Sequence, residues 1–403
     1  MNDECIITIS ILKSNTFSLK EDLTKVNNSA TIEPRATSHE PPTFCALFDI
    51  KNEHIVKDHG LLSWGMHEYH GYDSFMATYK NDDYPNLKYL PGLRMEFIPK
   101  VTGDWLQDSC AWLRENAKRI NVLYIYHIGD RSLAHILAYK RNNPHGKVFL
   151  KMDGSPRPPR FFLWKGIKPL LSIHYSTVVS SEFQENAARL SKFWPKGWFH
   201  KVIWIPNPAN PSELQDFRPF SERSNTILTV GRLGTRQKAT EILLEAFAKI
   251  ADQIPDWTLK LAGYISGNMN IASDFYAAHP ELKERVIFTG EIRDRQTLIE
   301  MYRDAKIFAF PSRGESFGIA LTEAIMQGCF AVTTDIPTSR KLTENFRYAL
   351  GSEVDDIDGL AKNLLYACTH EPETESLARE GMTATRERID LRRTCERLAE
   401  GLK

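Results

Sequence analysis

One stretch of the chain, residues 307–328, places a strand, a glycine-containing loop and a helix in immediate succession. The apolar residues before Pro311 predict a buried parallel strand, which this proline ends. The polar residues 312–316 predict a loop, and apolar side chains recur at helical spacing from Phe317 to the terminating Gly328. Because the start of a helix presents free backbone N–H groups, this arrangement favours the binding of an anion.

Two carboxylates flank the predicted anion site. Glu315 lies in the loop and Glu323 in the helix, with seven residues between them. Each has an ordinary explanation when taken alone, since Glu323 suits an exposed helix face and Glu315 suits the positive end of a helix dipole. Together they indicate a ligand that carries phosphates and many hydroxyl groups.

Strand and helix patterns alternate along two long parts of the chain, which a polar, proline-containing segment at 209–223 separates. The first part begins at Thr43 and the second at Thr226. Such alternation predicts parallel sheets that helices cover on both faces. A chain of 403 residues is too long for one ordinary core, so we expect two domains.

The composition argues against several functional classes. Lysine plus arginine and aspartate plus glutamate both number 51, and this balance gives no sign of nucleic-acid binding. The six cysteines are scattered without a Cys-x-x-Cys pair, which argues against a disulfide framework or a zinc site and fits a reducing cytosol. No apolar run reaches the length of a membrane-spanning helix, about 18 residues, and the acidic residues before the apolar segment 6–12 argue against a signal peptide. No cluster of metal-ligating residues stands out, so we expect no metal cofactor.

A pair of cations follows the strand predicted for residues 226–230. Arg232 and Lys238 come after this strand and before a helix, so their side chains can reach over the same edge of the sheet. Two cations there can neutralise a diphosphate, arginine as a planar fork and lysine as a point charge. The alternative is that both are solvated loop residues, as most arginines and lysines are.

Residues 224–343 resemble the C-terminal, nucleotide-sugar-binding domain of GT-B glycosyltransferases of the retaining family 4 type. The resemblance depends on short motifs in the family's order and spacing, namely Gly231-Arg232 with Lys238, Leu261 to Gly263, Phe288 to Gly290, and Glu315 with Glu323 enclosing Phe317-Gly318. The family usually has glycine directly after the lysine, and here Ala239 takes that place.

The resemblance implies an α/β fold of the GT-B type, in which two Rossmann-like doubly wound domains face each other across a cleft. The implied N-terminal domain, residues 1–207, binds the acceptor, with residues 1–40 as an appendage. The implied C-terminal domain, residues 208–384, binds the nucleotide sugar. The final helix, residues 385–403, would pack back on the first domain.

The resemblance also implies roles for individual residues of the second domain. Arg232 and Lys238 would hold the donor diphosphate and act in catalysis. Glu315 would also act in catalysis and would hold the donor sugar together with the backbone of Phe317 and Gly318. Glu323 would bind the ribose hydroxyls. The other implied donor-binding residues are Gly231, Gly263, Glu291 and Ile292 (beside the base), Ser316 and Thr322.

The first domain resembles the family more loosely. Residues 202–207 look like the family's Ile-Pro-Asn hinge segment, but the usual Gly-Gly loop after the first strand is missing. In its place stands the segment from His54 to Gly60, which looks like the variant found in some surface-polysaccharide transferases. If so, Gly60 approaches the donor phosphates, with Lys57 and Asp58 nearby.

Two strand ends of the first domain carry candidate acceptor residues. His127 ends one predicted strand, and Asp153 follows another at the place where many relatives have a histidine. Each maps to the acceptor side, where it would orient the acceptor hydroxyl in catalysis. The alternative is that both are satisfied polar groups, as single polar residues at strand ends generally are.

Basic and aromatic residues alternate between residues 157 and 168. Such a segment can hold a protein surface on an anionic membrane. The alternative, in which the aromatic side chains pack into the domain, stays open.

Taken together, the resemblance implies a metal-independent retaining hexosyltransferase (EC 2.4). It would transfer a sugar from a UDP or GDP donor to a saccharide or glycolipid acceptor in cell-surface polysaccharide synthesis. We expect a cytoplasmic protein, peripheral at the inner face of the membrane, with no nucleic-acid partner. Two alternatives stay open: a GT-B sugar-nucleotide epimerase or hydrolase, and a catalytically silent sugar-nucleotide-binding subunit.

Overall fold

The computed structural model describes residues 40–152, 168–182 and 202–403. Asp153, the predicted membrane segment except Lys168, and the predicted appendage up to residue 39 lie outside these described residues. No helix in the described ranges combines the length and apolar character needed to cross a bilayer.

The first sheet contains seven strands within the described residues. They are β1 (Thr43–Leu47), β2 (Asp73–Thr78), β3 (Arg94–Phe97), β4 (Val122–Tyr126), β5 (Lys147–Met152), β6 (Val178–Ser181) and β7 (Val202–Trp204). Their order across the sheet is β3-β2-β1-β4-β5-β6-β7, and every neighbouring pair is parallel. The chain therefore winds outward in both directions from the β1–β4 pair.

Helices cover both faces of this sheet. They are α1 (Asn52–Ile55), α2 (Asp58–His70), α3 (Trp105–Asn116), α4 (Asp130–Asn142) and α5 (Lys168–His174). Because side chains alternate across a strand, β1 sends Phe44 and Ala46 into one core and Cys45 and Leu47 into the other. The strands are apolar on both faces for this reason.

The second sheet has the same winding. Its strands are β8 (Ser224–Val230), β9 (Thr258–Ala262), β10 (Val286–Gly290), β11 (Ala305–Phe310), β12 (Phe330–Thr334) and β13 (Ala349–Ser352), in the all-parallel order β10-β9-β8-β11-β12-β13. The remaining helices are α6 (Thr240–Ile250), α7 (Ile271–Ala278), α8 (Arg295–Asp304), α9 (Ile319–Met326), α10 (Pro337–Leu342), α11 (Ile357–Thr369), α12 (Glu371–Arg388) and α13 (Leu391–Gly401). The sequence patterns did not predict β13, α7 or α10, because each is short and β13 contains a glycine.

The last helix crosses back to the first sheet. Leu391, Cys395 and Leu398 of α13 lie in the same core as Leu61 and Met66 of α2. This packing connects the end of the chain to the domain in which the described residues begin.

The segment at 209–223 is packed rather than free, although its composition predicted a linker. It forms short 3-10 turns at Pro211–Glu213 and Phe220–Glu222. Phe220 is buried in the core of the second domain. The segment is therefore anchored to the second domain rather than being a free linker.

Candidate active site

Each sheet has one place where the strand order reverses. In the first sheet it lies between β1 and β4, and in the second between β8 and β11. Doubly wound sheets bind ligands outside the carboxyl ends of the strands at this point. The loops that follow β8 and β11 contain the predicted donor residues from Gly231 to Lys238 and from Glu315 to Gly318.

Lys238 and Glu315 meet at the reversal point of the second sheet. Lys238 Nζ lies 2.5 Å from Glu315 Oε1, and the two side chains are 18% and 11% exposed. Ser312 Oγ donates to the same carboxylate oxygen at 2.9 Å. The lysine ammonium also lies over the Phe310 ring, 5.4 Å from its centroid. A half-buried cation is thus held in place between the loops that follow β8 and β11.

Gln237, which no sequence pattern singled out, links the two loops. Its side-chain Nε2 donates to the Gly314 carbonyl at 2.9 Å. Its backbone carbonyl accepts from the Arg313 N–H at 2.8 Å. Arg232 Nη2 donates to Gln237 Oε1 at 3.2 Å, while the rest of the Arg232 side chain is exposed. Arg232 and Lys238 therefore lie on the same pair of linked loops, with Arg232 on the solvent side.

Gly263 packs directly on Gly231. A Cβ atom on Gly263, whose φ is +139°, would overlap with the Gly231 carbonyl oxygen. The Gly231 N–H donates to the Ala262 carbonyl at 3.0 Å, and the Gly263 N–H donates to the Gly290 carbonyl at 2.8 Å. The missing side chain brings the loops after β8, β9 and β10 together.

Ala239, the departure from the family pattern, stands at a position that favours glycine. It precedes α6 with φ +47° and ψ 43°, in the left-handed region, and it is fully buried. The left-handed conformation costs an L-residue with a Cβ roughly 1–2 kcal/mol. The alanine therefore adopts a conformation that glycine would take at lower cost.

We expect Ala239→Gly and Ala239→Val to differ sharply in stability. Glycine relieves the backbone strain but loses a buried methyl, worth about 0.8 kcal/mol, so the free energy of unfolding should change by less than about 1 kcal/mol. Valine adds branched bulk in a filled, left-handed position and should lower it by about 1–3 kcal/mol. Urea unfolding measures the free energy of unfolding of both variants. Equal values for the two would contradict the placement of Ala239 in a buried, left-handed position.

Helix α9 begins two residues later than the pattern predicted. Its N-cap is Gly318, with φ +78°, and the Thr322 hydroxyl donates to the Gly318 carbonyl at 3.2 Å. Phe317 is buried and Ser316 is exposed. Thr338, which no sequence pattern singled out, anchors this loop, because its hydroxyl donates to the Glu315 carbonyl at 2.8 Å.

Glu323 lies in α9 and is held by two residues of α8. Arg295 Nη1 is 2.8 Å from Glu323 Oε1, and the Tyr302 hydroxyl donates to Glu323 Oε2 at 3.1 Å. Arg295 had no sequence signal, since an arginine in the first turn of a helix is ordinary on its own. Glu323 therefore does not lie on an exposed helix face.

The predicted base-side residues lie on the loop after β10. Glu291 is exposed and paired with Arg293, whose Nε lies 2.8 Å from Glu291 Oε2. Ile292 packs against the core that also contains Phe317. The two predicted base-side residues therefore differ in environment, since Glu291 is exposed and Ile292 belongs to the core.

A crevice joins the two domains. Val56, Lys57 and Asp58 line it from the first domain. Phe317, Thr322 and Glu323 are among the residues that line it from the second. The start of α2 therefore faces the start of α9.

Residues 54–60 belong mainly to two helices. His54 lies in α1 and Gly60 in α2, so only Val56 and Lys57 lie between the helices. A Cβ atom on Gly60 would overlap with the Ile55 carbonyl. Gly60 thus has a packing reason to be glycine, and Lys57 and Asp58 are the residues of this segment that border the crevice.

A buried charge cluster supports the first-domain side of the crevice. Lys151 is 0% exposed, and its Nζ lies 2.7 Å from Asp58 Oδ2, 2.6 Å from Asn207 Oδ1 and 3.5 Å from Glu182 Oε1. Burial alone would raise the pKa of Asp58, but Lys151 and His59 outweigh it and hold that pKa well below its ordinary value. Lys151 is therefore a core residue rather than a solvated cation.

His127 follows β4 directly, one residue beyond the end of the strand. Its φ is +61°, and its N–H donates to the Lys151 carbonyl at 2.9 Å. Desolvation of the ring, together with nearby His59 and Lys151, lowers the pKa of His127. A neutral imidazole at this edge can accept a hydrogen bond. The second acceptor candidate, Asp153, lies outside the described residues.

Potential metal ligands do not converge in the part of the chain that the structure describes. No three histidine, cysteine, aspartate or glutamate side chains there lie as a metal ion would require. The expectation of a metal-free site stays a prediction.

The sequence of the second domain resembles known proteins. Residues 212–383 match the family described as glycosyl transferases group 1. The phosphatidyl-myo-inositol mannosyltransferase of Mycolicibacterium smegmatis is 27% identical over 168 residues, 41% of this chain and 42% of that protein. The mannosylfructose-phosphate synthase of Agrobacterium fabrum is 28% identical over 184 residues, which are 43% of this chain and 39% of that protein. The chain thus spans less than half the length of these curated relatives.

Solved structures resemble the whole architecture. Anabaena HepE in complex with UDP and glucose aligns with a TM-score of 0.65 at 15% identity, over 90% of this chain and 99% of that one. A glycosyltransferase from Rickettsia africae aligns with a TM-score of 0.68 at 16% identity, over 90% and 98%. At this identity the likeness shows the fold alone, and the predicted GT-B fold is confirmed. In sequence, residues 212–383, which lie mainly in the second domain, are similar to the glycosyl transferases group 1 family.

Proposed function

We propose that this protein is a retaining glycosyltransferase that transfers a sugar from a UDP or GDP donor to a hydroxyl of a saccharide or glycolipid acceptor in cell-surface polysaccharide synthesis. The observation that carries the proposal is the contact between Lys238 and Glu315 at the reversal point of the second sheet. It joins a cation for phosphate to a carboxylate for sugar hydroxyls, inside the domain that matches the family.

The donor would lie with its diphosphate beside Lys238, Arg232 and the free N–H groups at the start of α9. Glu315 and the backbone of Phe317 and Gly318 would hold the sugar. Lys238 pairs with Glu315 in the structure, so a bound diphosphate would gain a cation that is already oriented. Pre-oriented charge is worth more in a water-excluded site than in bulk solvent.

The chemistry that fits these residues is attack from the face that the diphosphate leaves. The bond between the anomeric carbon and the phosphate oxygen breaks while the acceptor oxygen bonds to the same face. The departing phosphate oxygen takes the acceptor proton. Arg232, Lys238 and the start of α9 would stabilise the charge that develops on the diphosphate. Closure of the crevice would keep water from the donor.

His127 and Asp153 are the proposed acceptor residues of the first domain. The lowered pKa of His127 supports a neutral ring that accepts a hydrogen bond from the acceptor hydroxyl. The curated relatives cited above include a mannosyltransferase, so mannose is the first sugar to test. HepE holds UDP and glucose, which makes UDP-glucose the second.

A thermal-shift screen of UDP- and GDP-sugars tests the donor. A true donor at a hundredfold excess over its Kd stabilises the protein by about 2.7 kcal/mol, so its unfolding temperature should rise by several degrees. Absence of any shift across UDP, GDP and their sugars would contradict the proposal.

Product analysis separates the alternatives. Incubation of the best donor without acceptor yields a new sugar nucleotide from an epimerase and free sugar from a hydrolase. Binding without any product over a panel of saccharide and glycolipid acceptors would indicate a silent binding subunit. Transfer to a saccharide with retained anomeric configuration is the outcome that we expect.

A further inference from the structure

Both carboxylate oxygens of Glu323 are contacted by residues to which the family resemblance assigns no role. Arg295 holds Oε1 and the Tyr302 hydroxyl holds Oε2. A carboxylate offers about four lone-pair positions on its two oxygens. Positions on both oxygens therefore stay open, and two adjacent acceptors match the two neighbouring hydroxyls of a ribose.

Arg295 is itself fixed by the segment that joins the two sheets. Its Nε and Nη2 donate to the two oxygens of Glu213 at 2.9 and 2.6 Å. Glu213 is held in turn by Asn210 Nδ2 at 3.2 Å, and its carbonyl accepts from Gln327 Nε2 at 3.0 Å. Because the guanidinium is a rigid planar fork, it cannot leave Glu323 without disturbing its contacts with Glu213.

The charges show why a cation is needed between these carboxylates. The side chains of Glu213 and Glu323 are only 10% and 12% exposed. Burial alone would lower the pKa of Arg295, but Glu323 and Glu213 raise it above its ordinary value, so the arginine stays charged. Without it, two largely desolvated carboxylates would repel each other, and Glu323 would turn from its present direction.

We propose that Arg295 is a positioning residue for the donor nucleoside: it holds the Glu323 carboxylate in the orientation that accepts both ribose hydroxyls. Tyr302 supports the same carboxylate from its other oxygen. The inference rests on the proposed function, because it takes the ligand of this crevice to be a nucleotide sugar. It makes selectivity for ribose over deoxyribose depend on a residue that belongs to α8.

Calorimetric titration of the full chain with UDP, GDP and their 2′-deoxy analogues tests the proposal. The wild-type protein should bind the ribonucleotide about tenfold to a hundredfold more tightly than the deoxy analogue, the range for a hydrogen bond to a charged group. Arg295→Leu should lower this ratio towards one, because it weakens binding of the ribonucleotide, with two hydroxyls on Glu323, more than binding of the deoxy analogue, which keeps only the 3′-hydroxyl. A purely structural loss would weaken both ligands alike.

Arg218→Leu is the matched control. Arg218 also lies in the connecting segment and pairs with Glu300 of α8 at 3.0 Å, but it does not contact Glu323. This variant should keep the wild-type ratio. Tyr302→Phe keeps the buried ring, removes the second grip on Glu323 and should also lower the ratio, so it tests the proposal should Arg295→Leu not fold.

The outcomes separate this inference from the proposed function. A selective wild-type protein whose ratio survives in Arg295→Leu, or in Tyr302→Phe should the first variant not fold, overturns the inference and leaves the donor function standing. A wild-type protein that binds ribo and deoxy forms equally overturns the ribose role itself. A wild-type protein that binds neither diphosphate overturns both proposals.

Discussion

Lys238→Ala is expected to lower kcat/KM by about a hundredfold or more, the scale of losing one transition-state donor. The lysine ammonium is half-buried and held 2.5 Å from Glu315 at the point where the diphosphate would leave. Of the two cations that would meet the charge developing on the departing phosphate, Lys238 is the more buried, because Arg232 lies on the solvent side. Steady-state kinetics with the donor identified by thermal shift provide the measurement.

Two further variants isolate the effect. Lys249→Ala removes an exposed lysine of the same domain that pairs with Asp358 at 2.6 Å, and it should leave kcat/KM unchanged. Lys238→Ala combined with Glu315→Gln removes the carboxylate that the first change leaves unpaired. Recovery of activity in the double variant would mean that Lys238 acts only through Glu315. Near-normal turnover of Lys238→Ala would remove its proposed role.

Lys151→Met is expected to reduce the free energy of unfolding by about 3–5 kcal/mol. The substitution keeps much of the side-chain volume but leaves Asp58 and Glu182 as buried carboxylates without their shared cation. Urea unfolding followed by circular dichroism measures the loss. Lys249→Met, which breaks an exposed pair, should cost less than about 1 kcal/mol.

The loss should also depend on pH. The pKa of Asp58 is depressed in the folded protein, so its contribution is complete above its ordinary pKa and is lost as pH falls towards the depressed value. Without Lys151, burial would raise that pKa instead, and the folded variant would bind a proton more readily than the unfolded chain. The difference in stability between wild type and Lys151→Met should therefore shrink from pH 7 to pH 4. A constant difference would contradict the proposed pairing.

Patterns local in the chain were enough to predict several elements of the site. The apolar run before Pro311 and the helical spacing after Phe317 predicted a strand, a loop and a helix, and the structure has all three in that order. The spacing of Glu315 and Glu323 correctly put one in the loop and the other in the helix. These predictions succeed because hydrophobic period, proline and glycine act within a few residues.

No local pattern in the chain predicted the partners of these residues. Arg295 reaches Glu323, and Lys151 reaches Asp58, across long separations in the chain. Nothing in the local pattern distinguishes either cation from a solvated one. The close approach of Gly60 to the Ile55 carbonyl likewise depends on two helices meeting, which no local pattern in the chain shows.

By itself the sequence determined the alternation of strands and helices, the two carboxylates and the loop cations, because periodicity and residue type are properties of the chain. Only the tertiary structure decided which charges meet. Both sheets reverse their order once, and parallel strands bring their carboxyl ends to one edge there. Burial at that edge then determines which ion pairs form, because a desolvated charge must find a partner wherever the fold places one.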